Sequence, residues 1–395
     1  VNGQRLRVVA ALGTAQTLAW GSSYYLPAIL ADPIARDLKI STNWFFAAFS
    51  ASLVISGLLG PRVGRQIDRV GGRQVLCTSN VVLAAGLALL GASTSLWMMS
   101  VAWLLLGIGM GLGLYDAAFG ALGRIYGSDA RASITGITLI AGFASTVGWP
   151  LSSFGLETIG WRETCYAWAI AHIVIGLPLN LLLPRAASPV HSEGPVAKPH
   201  IPIDRTMVLL SFAFAAAWTV TSAMAAHLPR IVEAFGATPA EAVFAGMMIG
   251  PAQVAARVIE ASLLNRFHPL VSTRLACIAH PIGACVIGIF GGGGAAAFAL
   301  LHGAGNGILT IARGTLPLAI FGSENFAYRL GLIGAPSRIC QALAPVGFGL
   351  LIDSLGRSIV IVSAGLSLSA LIALMWLPQS SAVKATAEPP MDGSA

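Results

Sequence analysis

Two arginines stand where a lipid-facing sequence would place leucine. The stretch from Gly250 to Arg266 is apolar enough to cross a bilayer, yet it carries Arg257 and Glu260, three residues apart on one helix face. Arg338 sits in the middle of a later apolar segment, Gly334-Ala335-Pro336-Ser337-Arg338-Ile339-Cys340-Gln341, with no acid within a helical turn. A charge at membrane depth costs ~2.5 kcal/mol or more, so it faces a bundle interior or a watery cavity. A guanidinium also offers forked donors that match a carboxylate or another oxyanion. Two such groups in one half of a helical bundle predict an anion site. Plainer readings stay open: Arg257 and Glu260 as a private pair, and Arg338 as a structural salt bridge to another helix.

The elements that must hold these residues are membrane helices. Of 395 residues, 56% are hydrophobic and only 10% are charged, against about 25% charged in soluble domains. Spanning hydrocarbon takes about 20 apolar residues, and twelve segments qualify: 7–31, 43–66, 74–92, 96–121, 132–156, 165–184, 206–229, 240–263, 273–292, 294–318, 327–351 and 357–378. The loop 185–205, rich in Pro, His, Ser and charge, is expected to be a cytoplasmic linker between an N-terminal bundle (1–184) and a C-terminal bundle (206–378). Residues 379–395 are expected to form a disordered cytoplasmic tail. The net charge of +7 does not point to nucleic acid, because Lys and Arg fall almost wholly in alternate short loops. That asymmetry predicts a cytoplasmic membrane protein with both termini cytoplasmic. The five cysteines lie in or beside apolar segments without metal-ligand spacing and read as packing residues.

The halves repeat. Gly107-x-Gly109-x-Gly111 recurs as Gly303-x-Gly305-x-Gly307, Tyr126-Gly127 as Phe321-Gly322, Pro150 as Pro345, Trp20 as Trp218, and Asp68-Arg69 as Asn265-Arg266, at offsets of 195 to 198. The expected fold is therefore all-α, with twelve transmembrane helices in two pseudo-symmetric six-helix bundles and substrate near the midplane between them. The glycine triplets lie at membrane depth and read as helix packing, not as a nucleotide loop. Asp116 and Arg313 occupy nearly equivalent repeat positions, each roughly 10 Å to the cytoplasmic side of its helix centre. Opposite charges facing across the pseudo-two-fold predict a cytoplasmic gate pair, closed when the site opens outward. A proton-titrating role for Asp116 is the alternative.

Between the second and third segments stands Gly64-Arg65-Gln66-Ile67-Asp68-Arg69-Val70-Gly71-Gly72-Arg73. This resembles the G-x-x-x-D-R-x-G-R signature of the major facilitator superfamily, twelve-helix transporters with two related halves. The resemblance implies alternating access, and it implies that Asp68 caps a helix N-terminus and pairs with an arginine within a latch that includes Arg69 and Arg73. Arg257-Val-Ile-Glu-Ala261-Ser-Leu-Leu-Asn265 is similar to the eighth helix of the monocarboxylate transporter and oxalate–formate antiporter families, whose arginine there contacts the substrate carboxylate. Ala261 replaces their glycine. Ser23-Tyr24-Tyr25-Leu26-Pro27-Ala28 resembles the first helix of the monocarboxylate family, except that Ala28 stands where proton-coupled members carry lysine. The oxalate–formate group also carries a cation on its eleventh helix, which Arg338 would match.

Gln16, Trp20, Ser22, Tyr24 and Tyr25 are expected to present polar groups and rings from the first helix to the cavity, with packing as the alternative. Gln253, Asn306 and Gln341 read as polar liners, and His227 as a titrating or plain interfacial group. Glu260 is a further coupling candidate. The sequence shows no H-E-x-x-H, no cofactor loop and no plausible catalytic Ser/His pair at membrane depth, so neither an enzyme nor a cofactor is expected. The reading is a secondary transporter for a small organic anion, a mono- or dicarboxylate. A proton or counter-anion would be the coupling partner, lipid the surroundings, and a monomer the assembly. Alternatives are a proton-driven drug or metabolite efflux carrier of the same fold and a non-transporting membrane sensor.

Overall fold

The computed structural model describes residues 3–185 and 201–377. Most of the expected linker (186–200) and the whole of the expected tail (379–395) lie outside the described residues. Among those described, every regular element is helical, and the chain makes twelve passes. Eight helical runs are long and apolar enough to cross a membrane. Three of these, Leu96–Thr158, Pro269–Phe321 and Phe326–Met375, each hold two passes.

The first span is Gly3–Ser22 followed by Pro27–Asp37, the second Thr42–Val70 and the third Gly72–Gly91. The fourth is Leu96–Gly113 with Tyr115–Tyr126, and the fifth is Ala130–Ala141 with Ala144–Thr158. The sixth runs through Trp161–Ala171, a π turn His172–Gly176, and Leu177–Leu181. The second half follows as Arg205–Ala234, Pro239–Ser262, Pro269–Phe290, Ala295–Phe321, Phe326–Leu355 and Ile359–Met375. Twelve passes put Gly3 and Met375 on one side, called here the terminus side.

Local chemistry sets the ends. The Asp204 carboxylate accepts from the Met207 amide at 2.8 Å, starting the seventh span. Thr238 and Glu241 form a reciprocal capping box at the eighth. Apolar side chains line the outside as well as the interior. Trp97 and Ile289 are 79% and 75% exposed, which is how a lipid-facing surface must look, since helices satisfy their backbone internally.

Prolines inside spans are accommodated by neighbours. Pro345 has no N–H, which frees the carbonyl of Gln341 four residues earlier, and the Ser222 hydroxyl of the seventh span donates to that carbonyl at 2.8 Å. Gly334 and Pro336, beside Arg338, do not open the backbone. Phe326–Leu355 is one continuous helix through both prolines. The breaks fall elsewhere, at residues 23–26, at Leu114 and at Gly142–Phe143.

The two halves meet on the terminus side. The second and eleventh spans cross with almost no side chain between them. A Cβ on Gly331 would lie 2.3 Å from the Gly60 carbonyl oxygen, and one on Gly64 would lie 2.1 Å from that of Ala327. Asp68 accepts from the amides of Ala327 (3.1 Å) and Tyr328 (2.8 Å), so a side chain of one half caps a helix of the other. Arg131 of the fifth span donates to the Phe267 carbonyl at 3.0 Å and pairs with Glu260 at 3.5 Å. These contacts shut the terminus side.

Candidate functional site

A cavity of about 600 Å³ lies between the halves above that closure. Trp20, Tyr24, Tyr25 and Tyr115 line it from the N-terminal half, and Trp218, Gln253, Arg257, Asn306, Thr310, Arg313, Arg338 and Gln341 from the C-terminal half. The broken helices explain why its walls are polar. Tyr24 and Tyr25 sit in the break of the first span. Asp116 occupies the first turn of the fourth span's second helix, where the helix dipole favours an anion. Arg257 reaches the last turn of Ala130–Ala141 and donates to the Thr138 carbonyl at 3.2 Å, at the end that favours a cation.

Asp116 and Arg313 are joined by a forked pair, Nε to Oδ1 at 2.6 Å and NH2 to Oδ2 at 2.7 Å. Arg338 approaches the same carboxylate at 3.8 Å. Its NH1 donates to Gln341 Oε1 at 3.3 Å, and Gln341 in turn donates to the Tyr24 hydroxyl at 2.9 Å, tying the two halves together. Two repeat-equivalent tryptophans flank the cluster. Arg338 lies over the Trp20 ring at 5.7 Å and Arg313 over Trp218 at 5.4 Å.

Arg257 has no carboxylate partner within 4 Å among the described residues. Besides Thr138, its contacts are Gln253 Oε1 and Thr310 Oγ1, both at 3.5 Å, and its buried Nε has no partner. Three guanidinium groups line this space, and the one carboxylate paired with them, Asp116, leaves the cluster a formal charge of +2. A private pair between Arg257 and Glu260 is not what forms. Glu260 turns toward Arg131 and the Ser272 hydroxyl (3.3 Å), away from the cavity. One helical turn separates the two residues, but the fifth span offers a second cation closer to the terminus side.

The remaining candidates are distributed as follows. Gln16 is buried away from the cavity and donates to the Gly113 carbonyl at 2.6 Å, next to the break at Leu114. Ser22 is buried against His172 at 2.8 Å. His227 meets the Pro345 carbonyl at 2.7 Å, within the C-terminal half. Arg69 is exposed and Arg73 half-buried on the terminus side, beside the Asp68 cap. Sequence reasoning missed Tyr115, Trp218, Thr221, Thr310 and the Thr138 carbonyl. Trp218 carried a usable signal, its repeat relation to Trp20. The threonines carried none, since their helix faces become distinctive only once the breaks are known.

A sequence model of the Major Facilitator Superfamily matches residues 12–301. The chain belongs to the major facilitator superfamily. This facilitator is accordingly a multi-pass membrane protein and a secondary transporter of small molecules, not an enzyme, and it works by alternating access. No curated protein matches its sequence. Among solved structures of similar fold is the proton:xylose symporter XylE bound to 6-bromo-6-deoxy-D-glucose, with TM-score 0.74 and 12% identity over 94% of this chain and 95% of that one. The human organic anion transporter MFSD10 (TETRAN) gives TM-score 0.70 and 14% identity over 94% and 99%. FucP in the outward conformation gives TM-score 0.74 and 14% identity over 95% and 100%.

Proposed function

We propose that this facilitator carries a small organic anion, a mono- or dicarboxylate, held between Arg257 and Arg338 at the interface of its halves (1–184 and 206–378). The observation that carries the reading is Arg257. A buried cation without an acidic partner costs several kcal/mol, and an anionic cargo supplies the missing charge. Arg338 contributes the second fork, because Asp116 is already engaged by Arg313. The aromatic side chains of Trp20, Tyr24, Tyr25, Tyr115 and Trp218 suit the organic part of the cargo. The neighbouring organic anion transporter fold is consistent with such a cargo, as is the resemblance to the monocarboxylate and oxalate–formate branch.

Positive charge in the loops of the terminus side favours placing that side in the cytoplasm. The contacts described above then belong to an outward-facing, cytoplasmically closed carrier in the cytoplasmic membrane, with Asp116–Arg313 as its gate. An empty cavity at +2 resists closure on both sides, and a bound anion lowers that cost. A monomer suffices for this cycle, since both walls of the site come from one chain.

The test is counterflow in liposomes against a panel of mono- and dicarboxylates. At least one member should exchange, and Arg338→Ala should abolish that exchange while the protein remains folded. Normal exchange by the variant would remove the proposed site.

A further inference from the structure

Behind the wall formed by the seventh and tenth spans is a second cavity of about 310 Å³, enclosed by the seventh, ninth, tenth and twelfth spans. It contains two buried histidines that the anion site does not use. His280 Nδ1 and His302 Nδ1 lie 3.1 Å apart, and His280 Nε2 is 3.0 Å from Ser363 Oγ. The Ser363 hydroxyl also contacts the Val360 carbonyl at 3.0 Å. A carbonyl only accepts, so the serine proton points at Val360 and Ser363 Oγ accepts from His280 Nε2–H. Neutral His280 then has a lone pair on Nδ1, which accepts from His302 Nδ1–H. That leaves His302 Nε2 as a bare lone pair, without a partner among the described residues, on a side chain 4% exposed that lines the cavity.

The N-terminal half supplies a contrast. His172 is also buried, but both its ring nitrogens are engaged, by Ser22 at 2.8 Å and Asn80 at 2.9 Å. That histidine is packing. His302 is not closed off in the same way.

We propose that His302 is the proton-binding group of this carrier, taking up at Nε2 a proton that travels with the anion. The two cavities share Thr221 and Asn306, which are hydrogen-bonded at 3.1 Å and form the seam between them. A hydronium ion from the open side gives its proton to Nε2 and leaves as neutral water, and the same N–H bond breaks to a water of the other side when the site faces it, so nothing else is consumed. The seventh span presents Ala217, Val220 and Thr221 to this space, the ninth His280 and Cys277, the tenth Asn306 and Leu309, and the twelfth Ser367 and Ala370, with Ser363 behind His280. None of these is a carboxylate. Arg257 of the eighth span reaches Thr310 on the shared wall, eight residues or about 12 Å along the helix from His302, while Arg274 of the ninth span is turned to the Leu374 carbonyl. An unneutralised Arg257 opposes a second positive charge at His302, and a bound anion removes that opposition. At about 12 Å and an effective dielectric of ~20, the interaction amounts to about tenfold in proton affinity. By reciprocity, protonation raises anion affinity by the same factor.

This inference rests on the anion reading, and the experiment separates the two. Purified carrier is reconstituted with an internal pH dye, using the anion that gives strongest counterflow. The wild type should accumulate that anion down an inward proton gradient and acidify the lumen. Its apparent affinity should weaken about tenfold as the pH is raised and His302 loses its proton. His302→Gln should keep counterflow within about threefold of wild type while losing gradient-driven accumulation, acidification and the pH dependence. Wild-type counterflow without proton movement overturns the His302 assignment and leaves the anion site standing, as does normal acidification by His302→Gln. Absence of both counterflow and ligand stabilisation with every anion overturns the anion reading and this inference with it. Should His302→Gln not fold, His302→Asn carries the same readout, and normal acidification by it overturns the assignment.

Discussion

Replacing Asp116 by Asn removes one charge and almost no volume, so its consequences are electrostatic. The carboxylate is held by Arg313 at 2.6 and 2.7 Å, lies 3.8 Å from Arg338, and is 22% exposed, whereas the Arg313 side chain is 5% exposed. A unit charge pair at ~4 Å in an effective dielectric of ~20 interacts by ~4 kcal/mol, and removing one partner of a buried pair costs about 3–5 kcal/mol. Partial exposure of Asp116 argues for the lower end, about 3 kcal/mol. Because the pair joins the fourth and tenth spans, that loss falls on the state closed at the terminus side, a shift of roughly 100-fold in its population. Counterflow by Asp116→Asn is expected to fall by a comparable factor, and Arg313→Gln should behave similarly. The double variant should recover part of the loss, because it leaves no guanidinium stranded in place of the pair. Initial counterflow rates for all four proteins, with thermal melts to exclude unfolding, measure the coupling. Strictly additive losses, or wild-type flux from Asp116→Asn, would refute the gate.

Three further outcomes follow from the packing. Gly331→Ala places a methyl 2.3 Å from the Gly60 carbonyl oxygen, so the second and eleventh spans must part. A cysteine introduced on the terminus side of the cavity should then react faster with an impermeant maleimide, and an unchanged rate would mean the crossing is not the closure. Ser222→Ala leaves the Gln341 carbonyl, freed by Pro345, without its donor; a loss of about 1–3 kcal/mol is expected, read as a lower melting temperature, and unchanged melting would contradict it. Asp68→Ala strips the cap from Ala327 and Tyr328. Transport should drop while the melt moves by only about 1 kcal/mol, and full transport would show that the cap plays no part in closure.

Hydropathy alone made the twelve passes legible, because lipid permits only self-satisfied helices. Arg257, Arg313 and Arg338 were visible for the same reason: each interrupts an apolar run. The approach of Asp116 to Arg313 was legible through the repeat, since equivalent positions in two related bundles face one another. Backbone breaks were not. Pro336 marks a helix that stays whole, while the first, fourth and fifth spans break at residues 23–26, Leu114 and Gly142–Phe143. The true partner of Glu260 was hidden because Arg131 is distant in sequence and comes close only when the halves pack. His280 and His302 were hidden likewise: they lie on adjacent spans, 22 residues apart, a separation without periodic meaning.

The central claim is that Arg257 and Arg338 face one cavity whose unbalanced positive charge is met by an anionic cargo. Thermal stability of the purified carrier titrated with carboxylates, and in parallel with lipophilic cations, tests it most directly, because a ligand stabilises the state it binds. Stabilisation by at least one carboxylate, lost in both Arg257→Gln and Arg338→Gln, is the predicted result. Stabilisation by the cations alone, or by carboxylates equally in both variants, would contradict it.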